Sequence, residues 1–166
     1  MARDAIVRLE PVTAENWQAC AALDIHENQR AFIPSNLHSI AAAQFYPDNV
    51  ARGVYAADGG SDAGDGQLVG FVLYGVEQPT GRIKLFRLMI AAPHQGRGYG
   101  AAAVRAVLRD MHERWRPSEV YVCYHPANAV AARLYQRLGF REVERTAEKV
   151  TARRDGDGEA VNPAPL

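Results

Sequence analysis

The stretch RLMIAAPHQGRGYGAAAVRAVL, from Arg87 to Leu108, contains the most informative pattern in the sequence. An apolar run ends at Pro93, three glycines follow at positions 96, 98 and 100, and an alanine-rich segment begins at once. A short apolar run bounded by proline is typical of a buried strand, and glycines favour a tight turn. The stretch therefore predicts a buried strand, a glycine turn and a helix.

The turn QGRGYG, residues 95–100, has the composition of an anion-binding site. The start of a helix leaves several N–H groups without acceptors and carries the positive end of the helix dipole. Glycines let an anion approach these groups, because no Cβ stands in the way. The turn therefore predicts a phosphate or pyrophosphate site, to which Arg97 adds a charge. The alternative is an ordinary tight turn whose glycines pack the helix.

Two familiar phosphate motifs do not suit this turn. Gly96, Gly98 and Ala101 match the dinucleotide-binding fingerprint by letter, but that motif follows the first strand of a doubly wound sheet and has an acid at the end of the next strand. Here Glu119 begins the next strand, and too little chain follows for a second half. A P-loop needs a lysine at the helix start, which residues 98–101 lack.

Hydrophobic periodicity along the chain predicts one mixed α/β domain, residues 1–152, and a disordered tail, residues 153–166. The first part reads as a meander and the second alternates strands with helices. This order predicts a mixed sheet, antiparallel at first, with a parallel crossover pair around the glycine turn. Strands are expected at 5–12, 53–58, 67–77, 82–91, 119–125 and 140–150, the last at an edge; helices at 13–23, 27–33, 35–45, 98–114 and 128–139; and a flexible hairpin loop at 59–66.

Composition excludes several classes of protein. The chain has no apolar run of membrane-spanning length and its N-terminus is too polar for a signal peptide, so we expect a cytoplasmic protein without a membrane partner. The two cysteines and five histidines lack ligand spacing, so neither a disulfide scaffold nor a metal site is expected. The net charge is zero and no basic-aromatic motif is present, which argues against a nucleic-acid partner.

Charge is nevertheless distributed unevenly along the chain. Residues 1–80 hold four arginines against ten acids, and residues 81–166 hold fifteen basic residues against nine acids. Either this is ordinary solvated surface, or a basic half receives an anionic ligand while an acidic half receives a cationic one.

Two motifs resemble the signatures of the GNAT superfamily of acetyl-CoA-dependent N-acetyltransferases. QGRGYG at 95–100 looks like its Gln/Arg-x-x-Gly-x-Gly/Ala signature, and NAVAARLYQRLGF at 128–140 resembles its second signature. The resemblance covers about residues 5–150. It implies the GNAT fold, with a parallel strand pair that splays apart, and acetyl-CoA as co-substrate.

A narrower likeness concerns the acceptor. The segments QRAFIPSNLHSIAAAQFYPD at 29–48, FRLMI at 86–90 and PAN at 126–128 resemble bacterial diamine, spermine and spermidine N-acetyltransferases. This likeness implies acetyl transfer to a primary amine, a polyamine, by direct attack in a ternary complex, and a possible homodimer. The alternatives are an aminoglycoside-like antibiotic, an amino acid or a protein amine as acceptor, or a non-catalytic acyl-CoA-binding regulatory domain.

The GNAT resemblance also implies which residues hold acetyl-CoA. The amides of the glycine turn would take the pyrophosphate, strand 87–90 would pair with the pantetheine arm, and Asn128 would hydrogen-bond the co-substrate. The oxyanion would meet the N–H of Met89 or Ile90. The expected co-substrate-binding residues are Leu88, Met89, Ile90, Gln95, Gly96, Arg97, Gly98, Tyr99, Gly100, Asn128 and Tyr135.

Acetyl transfer to an amine needs one group that removes a proton and one that donates a proton. An alkylammonium has a pKa of about 10.4 and must lose its proton before it attacks. Glu27 and Glu77 are the candidate bases, each with the alternative of a surface or cation-binding acid. Tyr135 is expected to protonate the thiolate leaving group, because a phenol stays protonated at neutral pH; the alternative is a core tyrosine. Glu27, Asn36 and Glu77 are expected to line the acceptor end.

Two further residues have reactive side chains. Cys123 lies in the middle of a strand between apolar neighbours, so we expect an inert buried thiol rather than a covalent nucleophile. His125 ends that strand, and it is either a proton relay or a partly exposed histidine.

Overall fold

The computed structural model describes residues 5–57 and 66–156, so residues 59–65 of the predicted hairpin loop lie outside the described residues. The described strands form one seven-stranded sheet in the order β1-β2-β3-β4-β5-β7-β6. The strands are β1 Val7–Pro11, β2 Val50–Ala56, β3 Leu68–Glu77, β4 Arg82–Ile90, β5 Glu119–Tyr124, β6 Arg141–Arg145 and β7 Val150–Asp155. The helices are α1 Trp17–Ala22, α2 Asn36–Ala43, α3 Tyr99–Trp115 and α4 Ala129–Arg137, and 3₁₀ turns occur at Glu27–Gln29 and Ala92–His94.

The sheet is antiparallel from β1 to β4 and then contains a parallel pair, β4 with β5. The parallel pairing extends only from Ile83 opposite Val120 to Leu85 opposite Val122. The second half of β4 therefore has no strand on its β5 side, and a slot opens between the two strands. The predicted mixed sheet with a splayed parallel pair is confirmed.

Two helical layers cover the sheet. On one face α3 packs on the strands through Val104, Val107 and Met111, which are fully buried and recur at the spacing of one helical face. The other face carries a smaller cluster around Cys20 and Phe71, against which α1 and α2 pack. Both faces of β3 are thus buried, as the apolar run at 67–77 predicts.

The C-terminal region differs from its prediction. The expected single strand at 140–150 is a hairpin, because the chain turns at residues 146–149 and returns as β7. β7 lies between β5 and β6 and includes residues 153–155, so these three residues belong to the sheet and not to the predicted tail. The polar composition of TARRD did not indicate a strand, because its two arginines are half-buried and Arg153 pairs with Glu119 on β5, while Val150 and Ala152 are buried.

The predicted helix at 27–33 is also wrong, because only the single 3₁₀ turn at Glu27–Gln29 forms there. Pro34 follows closely and disfavours a helical residue before it. The side chains of His26 and Gln29 form a capping box that closes the turn. After this turn the chain leads to Ile33, which lines the cavities described below.

Candidate active site

A cavity of about 290 Å³ lies between the end of β4, the glycine turn and α4. It combines a strand edge, a helix start and a buried phenol in one place. Its walls are built by Ile25, Gln29, Ile33, Leu88, Met89, Ile90, His94, Gln95, Gly96, Gly98, Tyr99, Gly100, Ala101, Asn128, Val130, Ala131, Leu134, Tyr135 and Arg137. Of the eleven expected co-substrate-binding residues, ten line this cavity; Arg97 does not, and its side chain is exposed.

The glycine turn presents bare backbone to the cavity. Gly96 and Gly98 have φ values of +75° and +84°, a region that side-chain-bearing residues rarely adopt. Gly98 is the N-cap of α3 and provides no capping side chain. Among the described residues, the N–H groups of Gly100 and Ala101 have no backbone or side-chain acceptor. The start of α3 therefore meets the requirements of an anion site, with unsatisfied donors at the positive end of a helix.

The open edge of β4 offers peptide groups to the slot. On the other edge, Ala91 N–H donates to Val69 O on β3 at 2.8 Å. Residues of an antiparallel strand alternate between its two neighbours, so the backbone of Met89 faces β3 and that of Leu88 and Ile90 faces the slot. An oxyanion donor on this strand is therefore Leu88 or Ile90 and not Met89. A peptide-like ligand can pair with the edge as a strand does.

A pair of glutamines connects β4 to the N-terminal half of the chain. Gln95 Nε2 donates to Ile90 O at 2.9 Å and to Gln29 Oε1 at 2.8 Å, and Gln29 Nε2 donates in return to Gln95 Oε1 at 3.1 Å. We call the Gln29 and Gln95 side chains the glutamine bridge. No local pattern predicted it, because the partners are 66 residues apart.

Tyr135 is held in place by two aromatic rings. Its ring stacks on Tyr124, with centroids 5.8 Å apart, and meets the edge of Phe140 at 5.5 Å. Only 7% of the residue is exposed, and it lines the cavity. No described residue hydrogen-bonds its hydroxyl. Burial raises the pKa of this phenol above its ordinary value of about 10, so the hydroxyl remains a proton donor at neutral and moderately alkaline pH.

Asn128 begins α4 and shares the cavity wall with Ala131 and Tyr135, as their helical spacing predicts. Its Oδ1 accepts the Ala131 N–H at 3.1 Å, which makes it the side-chain cap of the helix. Its amide N–H₂ has no partner among the described residues. Asn128 thus holds the helix start and keeps a donor available for a ligand.

A second cavity, of about 490 Å³, adjoins the first. The two share Ile25, Ile33 and Met89 as common walls. The charged groups of the second cavity are Asp24 and Arg30, which form an ion pair at 2.6 Å with both side chains largely exposed. A ligand in this cavity meets a carboxylate and reaches the first cavity past the shared apolar residues.

The three residues expected at the acceptor end do not come together. Glu27 is exposed and lines none of the described cavities. Asn36 lines the second cavity, but its amide is buried and donates to Cys20 O at 2.9 Å, which ties α2 to α1. Glu77 lies in a third cavity, of about 270 Å³, beneath α2. Glu77 pairs with Arg82 at the start of β4, so the length of that strand separates it from the slot beside Leu88 and Ile90.

Glu77 is also poorly suited to accept a proton. Lys84 Nζ lies 2.5 Å from its Oε1, and Thr80 donates to its Oε2 at 3.0 Å. Partial burial by itself raises the pKa of the carboxyl, but the hydrogen bonds from Lys84 and Thr80, with the charges of Lys84 and Arg82, outweigh it and lower the pKa. A carboxylate stabilised in this way is a weak general base.

The two other reactive side chains have structural partners. Cys123 Sγ lies 3.5 Å from Thr151 Oγ1 on β7, and it lines none of the described cavities. His125 accepts the Ala127 N–H through Nδ1 at 3.1 Å and packs its ring on Phe32, with centroids 5.1 Å apart. The electrostatic influence of Cys123 nevertheless contributes to the raised pKa of Tyr135, so the thiol lies near the phenol, whereas neither contact of His125 involves Tyr135.

Within residues 5–57 and 66–156, no helix is both long enough and apolar enough for a membrane span. No group of three or more histidine, cysteine or acidic side chains is arranged there to hold a metal ion.

The chain matches known proteins along most of its length. A family model described as "Acetyltransferase (GNAT) family" matches residues 23–140. The spermine/spermidine N(1)-acetyltransferase of Bacillus subtilis strain 168 is 29% identical over 153 residues, which cover 87% of this chain and 95% of that protein.

Two solved structures illustrate the likeness in fold. The spermidine N-acetyltransferase from Vibrio cholerae, solved with CoA and spermine, superposes with a TM-score of 0.66 at 16% identity and covers 89% of this chain and 92% of its own. The ribosomal-protein-S18-alanine N-acetyltransferase from Escherichia coli superposes with a TM-score of 0.68 at 17% identity, over 95% of this chain and 98% of its own. At these identities the likeness concerns the fold alone.

Proposed function

The chain belongs to the GNAT family of acetyltransferases, and from this premise we propose that it transfers acetyl from acetyl-CoA to a small primary amine, with polyamines as the acceptor class. The acetyl group arrives as a thioester, and the amine attacks it directly in a ternary complex. The polyamine part of the proposal rests on the likeness to the Bacillus subtilis spermine/spermidine acetyltransferase and on the sequence segments described above.

The observation that carries the proposal is the start of α3 at the rim of the cavity. Gly100 and Ala101 offer N–H groups that have no acceptor within residues 5–57 and 66–156, and Gly96 and Gly98 leave the turn without side chains. A diphosphate satisfies such donors and the helix dipole together. The open edge of β4 then lies alongside the cavity for the peptide-like arm, and the Asn128 amide is a further donor.

Tyr135 has the properties of the proton donor to the departing thiolate. A thiolate of pKa about 8.5 leaves faster when a nearby acid protonates its sulfur. Tyr135 is buried at the cavity wall, its hydroxyl has no hydrogen-bond partner in the described part of the chain, and its pKa is raised by burial. The slot-facing N–H of Leu88 or Ile90 is the donor for the oxyanion.

This assignment predicts the pH dependence. Only about one alkylammonium in a thousand is neutral at pH 7.4, so kcat/KM for the amine should rise with pH from 6 to 9. The pKa of Tyr135 is raised, so the required acid is present below its folded pKa and is lost only above about pH 10. Initial rates at saturating acetyl-CoA measure the profile. A descending limb below pH 9 would assign the acid to another group.

The second cavity is the acceptor chamber in this proposal. It reaches the first cavity past Ile25, Ile33 and Met89, so an amine held there can extend toward the slot. Asp24, the carboxylate among the described residues of this cavity, replaces Glu27 and Glu77 in the proposal, and a cationic acceptor shares it with Arg30. Since the described walls of the first cavity include no carboxylate, the proton of the attacking ammonium leaves through water in this proposal.

We expect Asp24→Asn to raise the KM for spermidine by up to about fivefold, because a solvent-exposed ion pair between ligand and protein contributes at most about 1 kcal/mol. The value of kcat should change little. Steady-state kinetics at saturating acetyl-CoA measure both constants. Asp155→Asn is the matched control, since Asp155 also forms an exposed pair with an arginine, Arg141, but far from the cavities. Equal effects of the two substitutions would exclude Asp24 as an acceptor contact.

The function is tested by calorimetry with CoA and by a thiol-release assay. The acceptor panel contains spermidine, spermine and putrescine, together with an aminoglycoside, amino acids and a peptide that begins with alanine. CoA binding with turnover of a polyamine supports the full proposal. CoA binding with turnover of another amine only would retain the acetyltransferase and overturn the acceptor. The cytoplasmic location and the homodimer stay predictions. Light scattering measures the number of subunits.

A further inference from the structure

The glutamine bridge joins two parts of the site that have separate tasks. Gln95 is the first residue of the glycine turn, and through Ile90 O it is also fastened to β4. Gln29 ends the 3₁₀ turn at Glu27–Gln29, and its Oε1 accepts the His26 N–H at 3.3 Å as well as the Gln95 amide. Each amide acts as donor and acceptor, so the bridge is satisfied in both directions.

The segment that Gln29 anchors is the wall between the two cavities. We call residues 24–33 the acceptor wall; it includes Ile25 and Ile33, which line both cavities, and the Asp24–Arg30 pair. Apart from the bridge, the backbone bond from Ala92 N–H to Asp24 O at 2.9 Å also ties this wall to the chain after β4. Phe32 of the wall also packs on His125, just after β5, with ring centroids 5.1 Å apart. Among the hydrogen bonds of the described residues, the bridge is the one that attaches the acceptor wall to the glycine turn.

We propose that Gln29 is a positioning residue that, through Gln95, couples occupation of the glycine turn by CoA to the order of the acceptor wall. This inference rests on the proposed function, since it takes the turn as the diphosphate site. A ligand that orders the turn restricts Gln95, and a restricted Gln95 holds Gln29 and the 3₁₀ turn in place. Because coupling between two sites is reciprocal, an acceptor that orders the wall also tightens CoA binding.

The chemistry of the bridge selects the variants. Gln29→Leu keeps the approximate size of the side chain. It removes the hydrogen bonds that the Gln29 amide makes with Gln95 and with the His26 N–H. Gln29→Glu keeps the acceptor for Gln95 Nε2 and His26 N–H but loses the donor to Gln95 Oε1, so we expect partial coupling. Gln44→Leu is the matched control, because Gln44 is exposed after α2 and lines none of the described cavities.

Backbone hydrogen exchange with and without CoA tests the coupling and needs no acceptor. In the native chain and in Gln44→Leu, we expect CoA to slow exchange at residues 95–101 and also about five- to tenfold at residues 24–33. In Gln29→Leu, the turn should still be protected and the acceptor wall should not. Gln29→Glu should lie between the two, which excludes simple misfolding as the cause.

The outcomes separate this inference from the proposed function. Absence of protection at residues 95–101 in the native chain contradicts the CoA site itself. Protection at the turn with equal protection of the acceptor wall in Gln29→Leu and the native chain overturns the coupling and leaves the CoA site intact. Kinetics with a turned-over amine add a second readout: Gln29→Leu should raise the KM of the amine about fivefold, while kcat changes less.

Discussion

Replacing Tyr135 with phenylalanine is expected to lower kcat by about 10²- to 10³-fold, within the range that general acid catalysis contributes. The substitution removes one hydroxyl from a side chain whose ring is fixed between Tyr124 and Phe140. That hydroxyl has no partner among the described residues, so its loss leaves no protein group unsatisfied. CoA affinity and thermal stability should therefore change little, and the loss should appear in the chemical step.

Tyr124→Phe is the matched control for this experiment. It removes a hydroxyl from the neighbouring ring of the same stack, and Tyr124 is not among the residues that line the first cavity. Because the proposal gives Tyr124 no role in proton transfer, we expect kcat of this variant to remain within about threefold of the native value. If single-turnover rates of Tyr135→Phe match those of Tyr124→Phe, the proton reaches the thiolate from elsewhere.

Gly96→Val should weaken CoA binding by about 10²-fold or more, since two charge-assisted hydrogen bonds to a phosphate contribute about 1.5 kcal/mol each. Gly96 has a φ of +75°, which a β-branched residue does not tolerate without strain. Relaxing that strain turns the peptide groups of the turn away from the slot. The same strain is expected to lower the stability by about 1–3 kcal/mol.

Gly81→Val separates strain from binding. Gly81, in the β3–β4 hairpin, has a φ of +72° and, like Gly96, has no atom within 4 Å of an added Cβ. It is remote from the cavity walls. We expect both variants to lose similar thermal stability, while calorimetry finds weakened CoA binding in Gly96→Val alone. Equal CoA affinities in the two variants would contradict the assignment of the turn as the diphosphate site.

Short-range patterns predicted which residues line the first cavity, although their role toward acetyl-CoA stays a prediction. The apolar run before Pro93 is β4, and the glycines after it begin α3. Asn128, Ala131 and Tyr135 share one cavity wall because a helical period of 3.6 residues places them on one face. These residues lie within two segments of the chain, so local geometry is enough to bring them together.

The acceptor side was predicted less well. Glu27, Asn36 and Glu77 were assigned to one end of a slot, but the structure distributes them over the surface, the second cavity and the third cavity. A carboxylate in the sequence does not reveal which cation will neutralise it, and Lys84 is the partner of Glu77. β7 was missed for a related reason, since its burial depends on strands that arrive from elsewhere in the chain.

By itself, the order of residues determined the mixed sheet, the glycine turn and the helix that carries Tyr135, because hydrophobic period, proline and glycine act through neighbours along the chain. Packing of the whole chain decided which peptide groups of β4 remain unpaired, which carboxylate faces the second cavity, and that Gln29 meets Gln95. Those contacts join residues far apart in the chain. They exist only once the sheet and its helices have brought the segments together, so no local pattern encodes them.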